Sequence, residues 1–194
     1  DRLVAAAHDT SWIPASESSF FKDAENKYFF MDDNGVPRGP FSKFEIKSEK
    51  AHEELQRICT ANIKHEIGKC TYTHMLNEDA GIETDLTVVC LDKNHFRIIS
   101  SAATRERDKF HIKKHLSEGV ELTDVTDDYC VFGIFGPRSR LLMQDLSSDD
   151  FTNENFKFAN SKYIKIDGTE IWTQRLSYVG ELGYELYVKT SDSK

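Results

Sequence analysis

The sequence predicts an α+β fold built mainly on antiparallel sheet. Segments with strand-like alternation outnumber segments with helical spacing. Short turn signals, Asn77-Glu78-Asp79-Ala80-Gly81 and Asp92-Lys93-Asn94, separate neighbouring strands and imply a meander. Asp167-Gly168 stands between two β-rich runs, the strongest short hairpin signal available.

The stretch from Pro14 to Pro40 mixes Ser, Asp, Asn, Gly and Pro around Tyr28-Phe29-Phe30 and reads as loop with one short strand. From Phe41, apolar Phe44 and Ile46 alternate with Lys43 and Glu45, as in a half-buried strand. Ser48 can cap a helix from about Glu49 to Ala61, with Ala51, Leu55, Ile58 and Cys59 as its buried stripe. Cys70 to Leu76, Ile82 to Leu91 and His95 to Ser100 read as strands. Thr104 can cap a second helix, Arg105 to Leu116. Leu122 to Val125 and Tyr129 to Phe135 are strands. Gly136-Pro137 then opens a third helix, with Pro at its first position and Leu141, Leu142 and Leu146 buried. Tyr163 to Ile166 and Glu170 to Tyr178 flank the hairpin turn, and Tyr184 to Val188 is the last strand.

A length of 194 residues suits one domain with a sizeable core. Lys and Arg total 25 against 33 Asp and Glu, and the net charge of −8 argues against a nucleic-acid platform. The longest apolar run, Leu86 to Leu91, is too short to cross a bilayer, and the first residues lack the apolar stretch of a secretory signal. Cys59, Cys70, Cys90 and Cys130 show no C-x-x-C pair, so reduced thiols in an intracellular protein are expected.

Two places could carry chemistry. On the strand Ile82 to Leu91, period two sets Ile82, Thr84, Leu86, Val88 and Cys90 on the core side. Asp85 and Thr87 then project from the other face beside Val89 and Leu91, where a carboxylate can be catalytic or simply a surface group. In Tyr178-Val-Gly-Glu-Leu-Gly-Tyr-Glu185, Gly180 and Gly183 permit a tight excursion between strands. Glu185 at its end could grip a planar N–C–N edge through two parallel hydrogen bonds, or be a solvated turn residue. His111 and His115 lie four apart, but no HExxH glutamate accompanies them and Lys109, Lys113 and Lys114 make this a solvated basic face. Asp124, Asp127 and Asp128 lack EF-hand spacing and read as surface. Gly133 and Gly136 form no phosphate-binding fingerprint, and no metal site is expected.

In order along the chain, FSKFEI (Phe41 to Ile46), YTHMLNEDAGIETDLTV (Tyr72 to Val88), FGIFGPRSRLLMQDL (Phe132 to Leu146) and RLSYVGELGYELYV (Arg175 to Val188) resemble one family. It is the folate-binding, aminomethyltransferase-type domain of the glycine cleavage T-protein. The same domain forms the C-terminal half of dimethylglycine and sarcosine dehydrogenases, the branch that TDLTV and YVGELGYELYV resemble more closely. The resemblance implies an irregular segment over 1–40 and a folate-binding domain over 41–194 that stops short of the family's full domain.

The resemblance further implies tetrahydrofolate as cofactor, with Asp85 as the catalytic carboxylate. It places Thr87, Tyr178 and Glu185 as folate contacts, Met75 on the folate cavity, and Ser101 at a contact that is Asn in the T-protein. The implied reaction moves a methylene or iminium carbon from an oxidised methylamine onto tetrahydrofolate. FAD would be needed only in a separate dehydrogenase domain, in cis or in trans, and neither nucleic acid nor membrane is an expected partner. The implied compartment is the cytoplasm, or the mitochondrial matrix in a eukaryote. Rival readings are a non-catalytic folate-binding module or fragment, and a folate-dependent demethylase of a sulfonium. The absent cysteine in SYVGELGYE argues against the non-catalytic relatives that carry one there.

Overall fold

A computed structural model describes residues 30–31, 37–38, 40–177 and 180–192. The described residues form two compact units, Phe41–Thr126 and the remainder. In the second, a short pair β1 (Phe30–Met31) and β2 (Pro37–Arg38) is described before Phe41. The rest of the expected N-terminal loop lies outside the described residues.

The unit Phe41–Thr126 holds a five-stranded antiparallel sheet. Its strands are β3 (Phe41–Lys47), β4 (Cys70–Leu76), β5 (Ile82–Asp92), β6 (His95–Ser101) and β7 (Leu122–Asp124), in the order β4-β5-β6-β3-β7. The expected meander is β4-β5-β6. One sheet face is apolar: Phe44, Ile46, Met75, Leu86, Val88, Phe96 and Ile98 are buried there with Leu55 of α1 (Ala51–Ile58) and Ile112 of α2 (Arg105–His115). Burying such side chains is the main force holding helix to sheet.

Several local expectations are corrected. Helix α1 begins two residues late: Ser48 Oγ accepts from Lys50 N, and Lys50, at the N-cap position, makes no capping bond with its own side chain. It ends at Ile58 because Cys59 is extended. Before α2, Ser101 rather than Thr104 acts as cap, its oxygen accepting from Ala103 N of a 3₁₀ turn, Ala102–Thr104. Thr104 Oγ1 instead donates to buried Asp108 Oδ2 at 2.7 Å. Ile82 is 65% exposed, beyond the bulge where β4 and β5 change register. Lys43 is fully buried, so β3 is covered on both faces. Asp124 is not a free surface acid: Arg105 Nε and Lys109 Nζ donate to Oδ2 at 2.9 and 3.1 Å, tying α2 to β7.

The other unit holds a four-stranded antiparallel sheet in the order β8-β11-β10-β9. These are β8 (Tyr129–Phe135), β9 (Asn160–Ile166), β10 (Thr169–Arg175) and β11 (Gly183–Lys189). Asp167 and Gly168 have φ of 48° and 81°, the left-handed pair that a two-residue hairpin between β9 and β10 requires. Tyr184, Leu186, Val188, Ile171, Ile164 and Ile134 bury one sheet face against α3 (Ser139–Leu146), Phe151 and Phe156. Pro137 precedes α3 in a turn instead of opening it. The buried face of α3 is Ser139 and Met143, with Leu142 half-buried, whereas Leu141 and Leu146 are 55% and 42% exposed. On the opposite sheet face, a Cβ at Gly133 or Gly183 would overlap the Phe135 ring. Glycine at both positions makes room for that ring, and Gly133 pairs with Glu185 across the strands.

Candidate functional site

Strand β5 sets Asp85 and Thr87 on the face away from the apolar core. The register with β4 pairs Asp85 with His74 and Thr87 with Tyr72. Tyr72 Oη donates to Asp85 Oδ2 at 3.2 Å, and the His74 ring packs edge-on to Tyr72 at 5.3 Å. Partial burial and the adjacent Asp85 carboxylate push the Tyr72 phenol up from its ordinary pKa, so it stays a donor. Asp85 and Tyr72 are exposed, Thr87 and His74 half-buried. This constellation can accept a proton and offset a positive charge.

Farther across the same face, β6 carries Arg97 and Ile99, with Ser101 one alternation on. Arg97 Nε and Nη2 donate to Glu45 Oε1 at 2.9 and 2.5 Å, and His95 Nε2 lies 2.8 Å from Glu45 Oε2. Burial would raise the Glu45 carboxyl, but the His95 hydrogen bond and the Arg97 guanidinium together bring it from 4.5 down to about 2.

Met75 stands apart from this group. It pairs with Thr84, fully buried on the core face of the sheet, and has no surface to offer a ligand beside Asp85. Ser101 shares the face of Thr87, but its hydroxyl oxygen is engaged in capping.

In the other unit, Glu185 and Tyr187 leave the core face of β11, as alternation requires. Glu185 is buried, at 5% exposure. Gln174 Nε2 and Tyr187 Oη donate to its Oε2 at 2.5 and 2.9 Å, and among the described residues nothing bonds Oε1. Burial pushes the carboxyl up from 4.5, and the Gln174 and Tyr187 hydrogen bonds offset only part of that rise. Tyr178 lies outside the described residues.

Tyr72, His74 and Gln174 were not singled out from the sequence. Alternation marks them only as facing away from a core; strand register, which puts Tyr72 beside Asp85 and Gln174 beside Glu185, decides their partners. The His111 and His115 rings lie 4.4 Å apart and tilted by 46°, and no cluster of metal-ligating groups occurs among the described residues.

The α+β arrangement of a five-stranded and a four-stranded antiparallel sheet with three helices is similar to that of an aminomethyltransferase. The glycine cleavage system aminomethyltransferase T from Bartonella henselae has this fold. The match has a TM-score of 0.67 at 19% identity and covers 98% of this chain and 50% of that one. Residues 38–194 match the family described as the GCVT N-terminal domain, and the chain belongs to it. Mitochondrial dimethylglycine dehydrogenase of Rattus norvegicus is 32% identical over 191 residues, covering 95% of this chain and 22% of the relative. The aminomethyltransferase of Halothermothrix orenii is 31% identical over 144 residues, covering 74% of this chain and 40% of the relative. The chain thus spans well under half the length of these curated relatives. No helix among the described residues is long and apolar enough to cross a membrane.

Proposed function

We propose that this chain binds tetrahydrofolate and serves one-carbon transfer to it from an oxidised methylamine of the dimethylglycine or sarcosine type. The observation that carries the reading is Glu185: a buried carboxylate with Oε2 doubly bonded and Oε1 open among the described residues. Such an acceptor is completed by a ligand offering adjacent N–H donors, as a pterin edge does. Membership of the GCVT N-terminal domain family and likeness to aminomethyltransferases and dimethylglycine dehydrogenase support it.

Tetrahydrofolate, when bound, supplies the nucleophilic nitrogen that takes up the carbon. Glu185 accepts from the pterin edge and fixes its orientation, with Gln174 and Tyr187 holding the carboxylate. Asp85 offsets the positive charge of the one-carbon donor and accepts the proton released as the bond forms. Tyr72 donates to Asp85 Oδ2 and leaves Oδ1 for that proton. Thr87 and Tyr178 are further folate contacts in this reading. The oxidation that generates the electrophilic carbon belongs to an FAD dehydrogenase domain acting in cis or in trans.

Calorimetric titration of tetrahydrofolate into the chain and into Glu185→Gln tests this. Saturable binding to the first and at least several-fold weaker binding to the second is expected, the cost of an unmade buried hydrogen bond being about 1–3 kcal/mol. Equal affinities would remove Glu185 from the site.

A further inference from the structure

Strand register draws a square around Glu185. Phe135 pairs with Gly183 and Gly133 with Glu185, so β8 and β11 set these four residues at its corners, all on the face turned from the core. Phe135 and Glu185 stand on one diagonal and the two glycines on the other. A Cβ at Gly133 would strike Cε2 of the Phe135 ring, and one at Gly183 would strike Cδ1 on the ring's opposite edge. The ring therefore spans the two glycines and extends along the diagonal toward Glu185. Diagonal neighbours on antiparallel strands lie within reach of an aromatic side chain. The remaining neighbours of Glu185 on this face are polar. Gln174, opposite it on β10, and Tyr187, two residues on, both donate to Oε2. The carboxylate is thus held from two sides, and on the other two its neighbours by register are the glycines, with the Phe135 ring across them. Phe135 and Glu185 are 8% and 5% exposed.

We infer that Phe135 is a specificity-determining residue of the Glu185 site: its ring is the apolar wall on which a ligand's flat heterocycle packs while the N–H edge of that heterocycle bonds Oε1. The inference rests on the folate reading and deepens it. Hydrogen bonding alone leaves the site permissive, because a guanidinium at the end of a flexible chain offers a carboxylate the same N–H edge as a pterin. An aromatic ring beside the carboxylate rewards only a partner that is itself a ring, through face or edge contact. The glycines share this role. A side chain at either one would lift the Phe135 ring out of the square.

Tetrahydrofolate is titrated calorimetrically into the whole chain and into Phe135→Leu, which keeps much of the apolar volume and loses the ring. The variant should bind about three- to tenfold more weakly, the scale of a lost aromatic contact. A change at a buried position also perturbs packing, so the contact is read directly in the parent by magnetic resonance. The chain is deuterated except at its phenylalanine rings, and 2-amino-4-hydroxypyrimidine serves as a probe with the ring and its N–H edge alone. Saturating the phenylalanine protons should attenuate the probe's C5 and C6 proton signals, and tetrahydrofolate should abolish the effect by competition. Phe135→Leu should lose most of it. The proposal is overturned if no saturation reaches the probe in the parent, or if Phe135→Leu binds tetrahydrofolate as tightly as the parent does. A parent that fails to bind tetrahydrofolate removes the folate reading and this inference together. A parent that binds it, with a variant that matches, removes this inference alone.

Discussion

Asp85 and Glu185 are both carboxylates on sheet faces away from an apolar core, yet they differ in burial. Asp85 is exposed and holds one tyrosine hydroxyl, so it is poised as an acceptor. Asp85→Asn keeps its shape and loses proton acceptance. Folate-dependent uptake of the one-carbon unit should fall by about a hundredfold or more, the scale of a lost general base, with folate affinity changed far less. Rapid-quench measurement in the enzyme that supplies the amine donor checks this, and unchanged turnover would rule Asp85 out. Glu185 carries a different signature, because its folded pKa lies above 4.5. The folded state therefore holds the proton more tightly than the unfolded chain does. Stability from this group is full below pH 4.5 and is lost as pH rises through the raised value. Glu185→Gln has no such loss: it should melt like the parent near pH 4 and above it near pH 8, while binding folate worse. Melting curves at the two pH values decide the point. The outward direction of both residues was legible in the sequence, since period two fixes it. The burial of Glu185 was not, because it depends on Gln174 arriving from β10, which strand register decides, beside Tyr187 of its own strand.

At the scale of elements, the strands were read well and the helix ends were not. Alternation survives over β4 and most of β5, each with one face against a core, whereas β6 is buried on both faces from Phe96 to Ser100. Helix starts failed where a polar residue upstream offered a plausible cap: Ser48 bonds the backbone one step before α1, and Thr104 spends its hydroxyl on Asp108. Leu141 and Leu146 misled because α3 has only two turns, and Met143 and Ser139 face the core instead. Strand β3 departs from a half-buried pattern at Lys43 and at Glu45, whose carboxylate joins β3 to β6 through Arg97 and His95. Because Glu45 has its folded pKa lowered from 4.5 to about 2, its stabilisation is present above pH 4.5 and lost as pH falls toward 2. The shift corresponds to at most on the order of 3 kcal/mol. Acid unfolding of Glu45→Gln should lose that part of its pH dependence, with lower stability at pH 7; an acid limb identical to the parent's would refute the linkage.

For the whole molecule, the two units have separate cores, so unfolding need not be all-or-none. In a Trp12→Phe background, Trp172 emission reports the four-stranded unit, and hydrogen exchange at β5 reports the other. Their urea midpoints should differ; coincident transitions would show one cooperative body. The sheet order has a consequence during synthesis. Residues 41–126 are continuous, so every strand of the five-stranded sheet has been made once Thr126 is added. Strand β8 is next, but its partner in the sheet order is β11, which begins only at Gly183. At roughly 5–20 residues per second, a nascent chain spends seconds with Tyr-Cys-Val-Phe-Gly-Ile-Phe made and its neighbour not yet joined to it. An apolar, β-prone, uncharged heptad without its partner is an aggregation hazard. Slow translation between Phe135 and Gly183 should therefore lower the soluble yield, and slow translation before Thr126 should not.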